Sequence, residues 1–211
     1  AIELENITKT FGRIVANKNI NLNVKQGEIL ALLGENGSGK TTLMNMLSGI
    51  YKPDSGTIKV DGVPVSIHSP EDSKKFGIGM VHQHFKLVEV FSAADNIWMG
   101  TEHTGFILKK DRYNKISEIS NKFGFEFNPE KLVSNMSVSE KQTLEILRVL
   151  YYGAKVIILD EPTAVLTVQE IQKLFDVLRK MKEEGHSIII ITHKLNEVME
   201  ISDRVTILRK G

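Results

Sequence analysis

Gly34-Glu35-Asn36-Gly37-Ser38-Gly39-Lys40-Thr41 is the stretch on which the reading of this chain turns. Ile29-Leu30-Ala31-Leu32-Leu33 precedes it, an unbroken apolar run of the kind carried by a strand buried on both faces. A helical pattern follows over residues 40–47. Strand, glycine-rich loop and helix in that order form the context in which a G-x-x-x-x-G-K-T pattern binds phosphate. The glycines let backbone N–H groups turn inward around phosphate oxygens, and the helix N-terminus adds partial positive charge. Residues 34–39 therefore form the cradle, with Glu35, Asn36 and Ser38 between the glycines. Lys40 is placed to reach β- and γ-phosphates, Thr41 to ligate Mg²⁺ and Thr42 to contact the α-phosphate. A dinucleotide site is disfavoured, because Asn36 stands where G-x-G-x-x-G needs its second glycine.

Outward from the loop, strands and helices alternate. Gly12-Arg13 and Gln26-Gly27-Glu28 mark turns within residues 1–33, which otherwise read as strands, and Pro53-Asp54-Ser55-Gly56 marks another turn. Residues 57–65 read as a hairpin around Asp61-Gly62. Over residues 84–150 strand patterns give way to helical ones, clearest at 111–123 and 137–150, and this region reads as a helical insertion. Val156-Ile157-Ile158-Leu159 is a second buried strand, closed by Asp160-Glu161. A helix over 168–182, a third buried strand over 187–191 ending at Thr192-His193, a short helix over 196–201 and a last strand over 205–208 complete the pattern. Such alternation predicts an α/β fold with a mostly parallel sheet.

Carboxylates at the C-terminal end of a parallel strand face the ligand crevice of such a sheet. Asp160 is therefore the candidate Mg²⁺ ligand, and Glu161 the candidate to orient an attacking water. Read alone, the pair could also cap the next helix, the lesser of the two readings.

Composition limits the rest. The 211 residues are 41% hydrophobic and 25% charged, ordinary for a globular chain, and the net charge of +1 carries no nucleic-acid footprint. There is no cysteine, which removes disulfides and thiolate chemistry. No apolar run approaches the roughly 20 residues that span a bilayer. Arg209-Lys210-Gly211 comes straight after a strand, where a further turn and strand are expected.

With both phosphate-site motifs in place, the whole chain resembles the nucleotide-binding domain of ATP-binding-cassette (ABC) transporters. The resemblance implies a P-loop ATPase core with an N-terminal antiparallel β subdomain and an inserted helical subdomain. The boundaries follow as residues 1–83 and 151–211 for the core and 84–150 for the insertion. Further motifs fall in the family's order. Met136-Ser137-Val138-Ser139-Glu140 is similar to the L-S-G-G-Q signature, which in the family binds the γ-phosphate of ATP held by a second cassette. Ser137 would face that phosphate from a helix N-terminus, although read alone it is also a plain N-cap. Ser139 replaces the second glycine, where backbone approaches phosphate, and a φ > 0 geometry there would strain it. Gln83 matches the family's Q-loop, which senses Mg²⁺ and water, and His193 matches its switch histidine. Phe11 matches the aromatic that stacks on adenine. Ala164-Val165-Leu166-Thr167 stands at the D-loop without its usual Asp. His68, His82, His84, His103 and His186 have no such context and read as structural or surface residues.

The resemblance narrows at Gly79-Met80-Val81-His82-Gln83-His84-Phe85 and at Asp160-Glu161-Pro162-Thr163-Ala164-Val165-Leu166-Thr167. Both look like the importers for simple sugars and nucleosides, with a lean to nucleosides. It implies ATP and Mg²⁺ as ligands and a peripheral place on the cytoplasmic face of the cell membrane. It also implies partners: a second cassette, expected beyond Gly211 in the same protein, membrane permease subunits and, indirectly, a substrate-binding protein. Nucleic acid is not among them. A non-transport cassette ATPase of the translation or DNA-repair type remains the alternative. Repair needs a long coiled coil for which the sequence holds no heptads, and translation an RNA affinity that a +1 charge does not support.

Overall fold

The computed structural model describes residues 1–99 and 109–211; His103 lies outside the described residues. Two sheets share a core. The first is antiparallel, in the order β2-β1-β4-β5, from β1 (Ile2–Phe11), β2 (Ile14–Val24), β4 (Ser55–Val60) and β5 (Val63–Val65). The second is parallel, in the order β6-β7-β8-β3-β9, from β3 (Ile29–Leu33), β6 (Ile78–Val81), β7 (Val156–Asp160), β8 (Ser187–Ile191) and β9 (Arg204–Ile207). Each residue of β3, β7 and β8 is buried, as a central parallel strand covered on both faces must be.

The strands read from apolar runs are all present, and so is the hairpin, with Asp61 and Gly62 both at positive φ in its turn. Helix α1 (Lys40–Leu47) starts at Gly39, and α4 (Lys109–Phe123), α6 (Val168–Glu183) and α7 (Leu195–Ile201) lie within a few residues of their expected bounds. Ser137 and Thr167 cap α5 (Val138–Tyr151) and α6 in full capping boxes, each hydroxyl accepting from the N–H of Glu140 or Glu170 and each cap N–H donating to that glutamate's carboxylate. One strand and two α-helices were not read from the sequence: β6, α2 (Pro70–Lys75) and α3 (Ala93–Trp98).

Leu30, Leu32, Leu43, Met44 and Leu47 join Ile2, Leu4 and Ile7 in one core between the two sheets. On the other face of the parallel sheet, Ile157, Leu159, Ile188 and Ile190 pack on Leu174, Phe175 and Leu178 of α6. A third cluster joins α3, α4 and α5 through Ile97, Ile116, Leu144 and Leu147. Helix α5 serves two cores at once: Leu144 and Leu147 face α3 and α4, while Ile146, Val149 and Leu150 face the sheet. No helix among the described residues is long and apolar enough to cross a membrane.

Candidate functional site

The glycine loop is shaped by backbone that other residues would not fit. Gly34, Gly37 and Gly39 all have positive φ. A Cβ on Gly34 would lie 2.4 Å from the Leu208 carbonyl oxygen, and one on Gly39 would lie 2.3 Å from that of Ala16. The loop is therefore a cradle packed from behind by β2 and by the segment after β9. Buried Asn17 of β2 donates from Nδ2 to the Gly39 carbonyl at 3.3 Å. Gly211 N donates to Ser38 O at 3.2 Å and Leu208 N to Leu33 O at 2.8 Å.

Lys40 is only 8% exposed. Its ammonium donates to the carbonyls of Gly34 at 2.7 Å and Glu35 at 2.9 Å. The loop thus closes on its own lysine, whose charge is held where an anion would enter.

Glycine loop, α1 and the end of β7 enclose a cavity of about 270 Å³ lined by Asn36, Gly37, Ser38, Gly39, Lys40, Thr41, Thr42, Gln83, Asp160 and Glu161. These are ten of the residues expected there, arriving from three separate parts of the chain. Asp160 is buried with the Thr41 hydroxyl beside it. Burial, together with the neighbouring Glu161 charge, raises its pKa above the ordinary aspartate range, against the pull of Lys40 and Thr41. A carboxylate desolvated in this way is stabilised by a cation. Its donor set, carboxylate plus hydroxyl with a side-chain amide nearby, is the hard-oxygen set that Mg²⁺ takes with phosphate and water. Among the described residues no group of three or more His, Cys, Asp or Glu side chains could hold a metal by itself, so phosphate and water would have to complete the shell.

Glu161 sits at φ 49°, an uncommon conformation for a residue with a side chain. Its N–H donates to Ile191 O at 2.9 Å, which pins the strand end to β8. Its Oε1 lies 2.8 Å from Nδ1 of His193. A carboxylate can only accept, so Nδ1 carries the proton and Nε2 is left for other work. The Oε2 atom is buried and has no hydrogen-bond partner. The His193 side chain is 66% exposed. An orphaned carboxylate oxygen beside Lys40, Thr41 and Asp160 is suited to hold a water against a phosphorus centre.

Not every expected residue is brought to the cavity. Phe11 lies outside it, its ring edge-on to Tyr51 at 5.1 Å between centroids. The cavity is also lined by Ile14, Val15 and Ala16, which the sequence did not single out. The turn at Gly12-Arg13, which brings β2 back along β1, was the available signal. Ser137 and Ser139 lie at the start of α5, also outside the cavity. Ser139 is a correction to the expected strain: it is an ordinary helical residue in the first turn of α5, and positive φ is absent there. The Ser137 cap fixes that turn in regular helix, so a serine at 139 fits it without backbone cost. Thr167, standing where an Asp was expected, holds the N-cap of α6.

A family model described as ABC transporter matches residues 17–164. The chain belongs to the ABC transporter family. Over its full length this ABC cassette is 48% identical to the nucleoside import ATP-binding protein NupA of Lactococcus lactis and 53% identical to the guanosine import ATP-binding protein NupO of Bacillus subtilis. It is 40% identical to the ribose import ATP-binding protein RbsA 2 of Escherichia coli O157:H7. In each case it spans 42% of the relative's length. Among solved structures, it superposes with TM-score 0.87 on the dimeric bacterial ABC transporter cassette MJ0796, at 28% identity, covering 100% of this chain and 95% of that one. Against cbiO1 from Clostridium perfringens, part of the complex cbiONQ, the TM-score is 0.86 at 31% identity, with 100% and 85% covered. The two-sheet fold with its helices is the family's, as the resemblance implied.

Proposed function

We propose that this cassette binds and hydrolyses ATP at the cavity between the glycine loop and β7, and that it powers the import of a nucleoside through membrane subunits. The observation that carries the reading is the convergence of Lys40, Thr41, Asp160 and Glu161 on one cavity. In the proposed sequence the triphosphate enters the cradle and its oxygens replace the Gly34 and Glu35 carbonyls as partners of Lys40. The exchange is favourable because a charged acceptor replaces neutral ones. Thr41 and Asp160, with Gln83 at the cavity wall, would hold Mg²⁺, which when bound would supply charge neutralisation to the phosphates. Glu161 holds the attacking water through Oε2, and His193, oriented by Oε1, offers Nε2 toward the transferred group. Catalysis on this arrangement is chiefly positioning and charge stabilisation.

Ser137 and Ser139 lie outside their own chain's cavity, which supports a composite arrangement: the signature of a second cassette completes this site, and this one serves the partner's ATP. A span of 42% of the relatives' length is what one cassette of a tandem would occupy. Residues 84–150 are the lobe that would meet the membrane subunits at the cytoplasmic face, with residues 1–83 and 151–211 as the ATPase core. The relatives at 48% and 53% identity carry nucleoside and guanosine in their names and the one at 40% carries ribose, which supports a nucleoside as cargo. A substrate-binding protein outside the membrane would then deliver it.

Glu161→Gln is the test. It keeps the shape and a hydrogen-bonding oxygen but cannot take a proton from water. ATP binding should stay within about threefold while hydrolysis falls at least about 100-fold. Near-normal hydrolysis would remove Glu161 from the reaction and, with it, the proposed mechanism.

A further inference from the structure

Glu145 is a buried charge that the proposed reaction does not use. It lies on α5, 1% exposed, among the apolar residues Leu144, Ile146 and Leu147. Burial pushes its carboxyl above the usual glutamate range, against the pull of Arg148 and the Lys86 N–H. An apolar side chain of similar size would spare the fold that desolvation. What the carboxylate does there is specific. Its Oε1 accepts the Lys86 backbone N–H at 2.9 Å, and its Oε2 lies 3.0 Å from Nη2 of Arg148. Arg148 then donates from Nη1 to the Lys86 carbonyl at 3.0 Å. Both backbone polar groups of one irregular residue are gripped by an ion pair on a helix.

Lys86 lies just beyond Gln83, and the hold continues past it. Buried Asn96 accepts the Val88 N–H at 2.7 Å and donates to the Val88 carbonyl at 3.0 Å. The carbonyls of Glu89 and Phe91 accept from Ser134 and Val133 N–H groups, each at 3.0 Å, and residues 133–136 lead straight into the Ser137 cap. Lys86, Val88, Glu89 and Phe91 are thus each anchored through backbone groups to α3, α5 or the approach to α5.

We infer that Glu145, together with Arg148, is a positioning residue that clasps Lys86 and joins the segment carrying Gln83 to the helix carrying Ser137 as one rigid unit. A shift of Gln83 at the cavity is then passed to the start of α5 instead of being absorbed by a loose loop. The clasp rests on geometry alone; its effect on turnover rests on the proposed ATP site.

The experiment compares Glu145→Ala and Glu145→Gln in the full-length protein. Glutamine keeps an oxygen for the Lys86 N–H and loses only the charge; alanine loses both. Hydrogen exchange over residues 84–91 and 133–140, measured without nucleotide, should quicken about tenfold or more in the alanine variant. ATP turnover should show kcat down about tenfold with KM for ATP within about twofold, since misplacement acts on reaction geometry more than on binding. The glutamine variant should restore most of both. Unchanged exchange and unchanged kcat in the alanine variant would overturn the inference. So would a loss of kcat that follows a fall in melting temperature and is equal in both variants, because that marks a folding residue. A wild-type protein that failed to hydrolyse ATP would count against the proposed function alone, and the exchange comparison would still decide the clasp.

Discussion

At the scale of single residues, the site depends on backbone angles that glycine adopts at little cost. Gly39 combines φ 93° with a wall 2.3 Å from where its Cβ would stand. Gly37, at φ 80°, has open space around the same position. The two should therefore separate strain from collision. Gly37→Ala should cost about 1 kcal/mol of stability and leave the cradle standing. Gly39→Ala should cost more than about 2 kcal/mol and abolish ATP binding, because β2 or the loop must move. Melting curves and nucleotide titration of the two variants would check this, and equal losses would show that the wall formed by Ala16 and Asn17 is not rigid. The loop was legible in the sequence because the spacing of Gly34, Gly39, Lys40 and Thr41 states a backbone geometry directly. Glu161 was legible as a carboxylate at a strand end, but its positive φ was not, since nothing in its residue type asks for one. Phe11 was legible only as a motif position, and the lining by Ile14, Val15 and Ala16, which follows from the turn beyond it, was not legible.

At the scale of elements, the end of β1 is held by one exposed carboxylate. Asp54 accepts from Lys9 Nζ at 2.8 Å and from both the N–H and the hydroxyl of Thr10 at 2.7 Å. The Lys9 ammonium and the two Thr10 donors bring its pKa down to about 2. A folded-state value below the unfolded one means that the native state binds the proton less well. The stability this contributes is present above the ordinary aspartate range and is lost as pH falls toward the folded value. Asp54→Asn should therefore lower the melting temperature by a constant amount above about pH 5, with the gap to wild type closing between about pH 4 and pH 2. A gap that persists at pH 2 would place its origin in packing. The elements that escaped the sequence share a cause. Helices α2 and α3 have six residues each, too few for a helical period to declare itself. Strand β6 has four and contains Gly79, which breaks its apolar run because a Cβ there would meet Val149 at 2.8 Å. The long helices and buried strands were legible because their periods and apolar runs are set by the cores they face.

At the scale of the whole molecule, the cavity and the signature lie apart. Lys40, Asp160 and Glu161 converge at the end of the parallel sheet, while Ser137 caps a helix that lies outside the cavity. In the proposed composite arrangement such a cassette would hold half of one site and offer half of another. Neither half could be inferred from α5 alone, since the capping box and the Lys131 ion pair already engage Ser137 and Glu140 in the single chain. The central claim is that turnover needs a second cassette closing on this cavity. It is tested most directly by the ATP turnover of the 211-residue cassette, expressed per molecule and followed over a wide range of protein concentration. The account predicts a per-molecule rate that is low in dilute solution and climbs with concentration as cassettes pair. Appreciable turnover at one constant per-molecule rate, from the most dilute sample to the most concentrated, would contradict it.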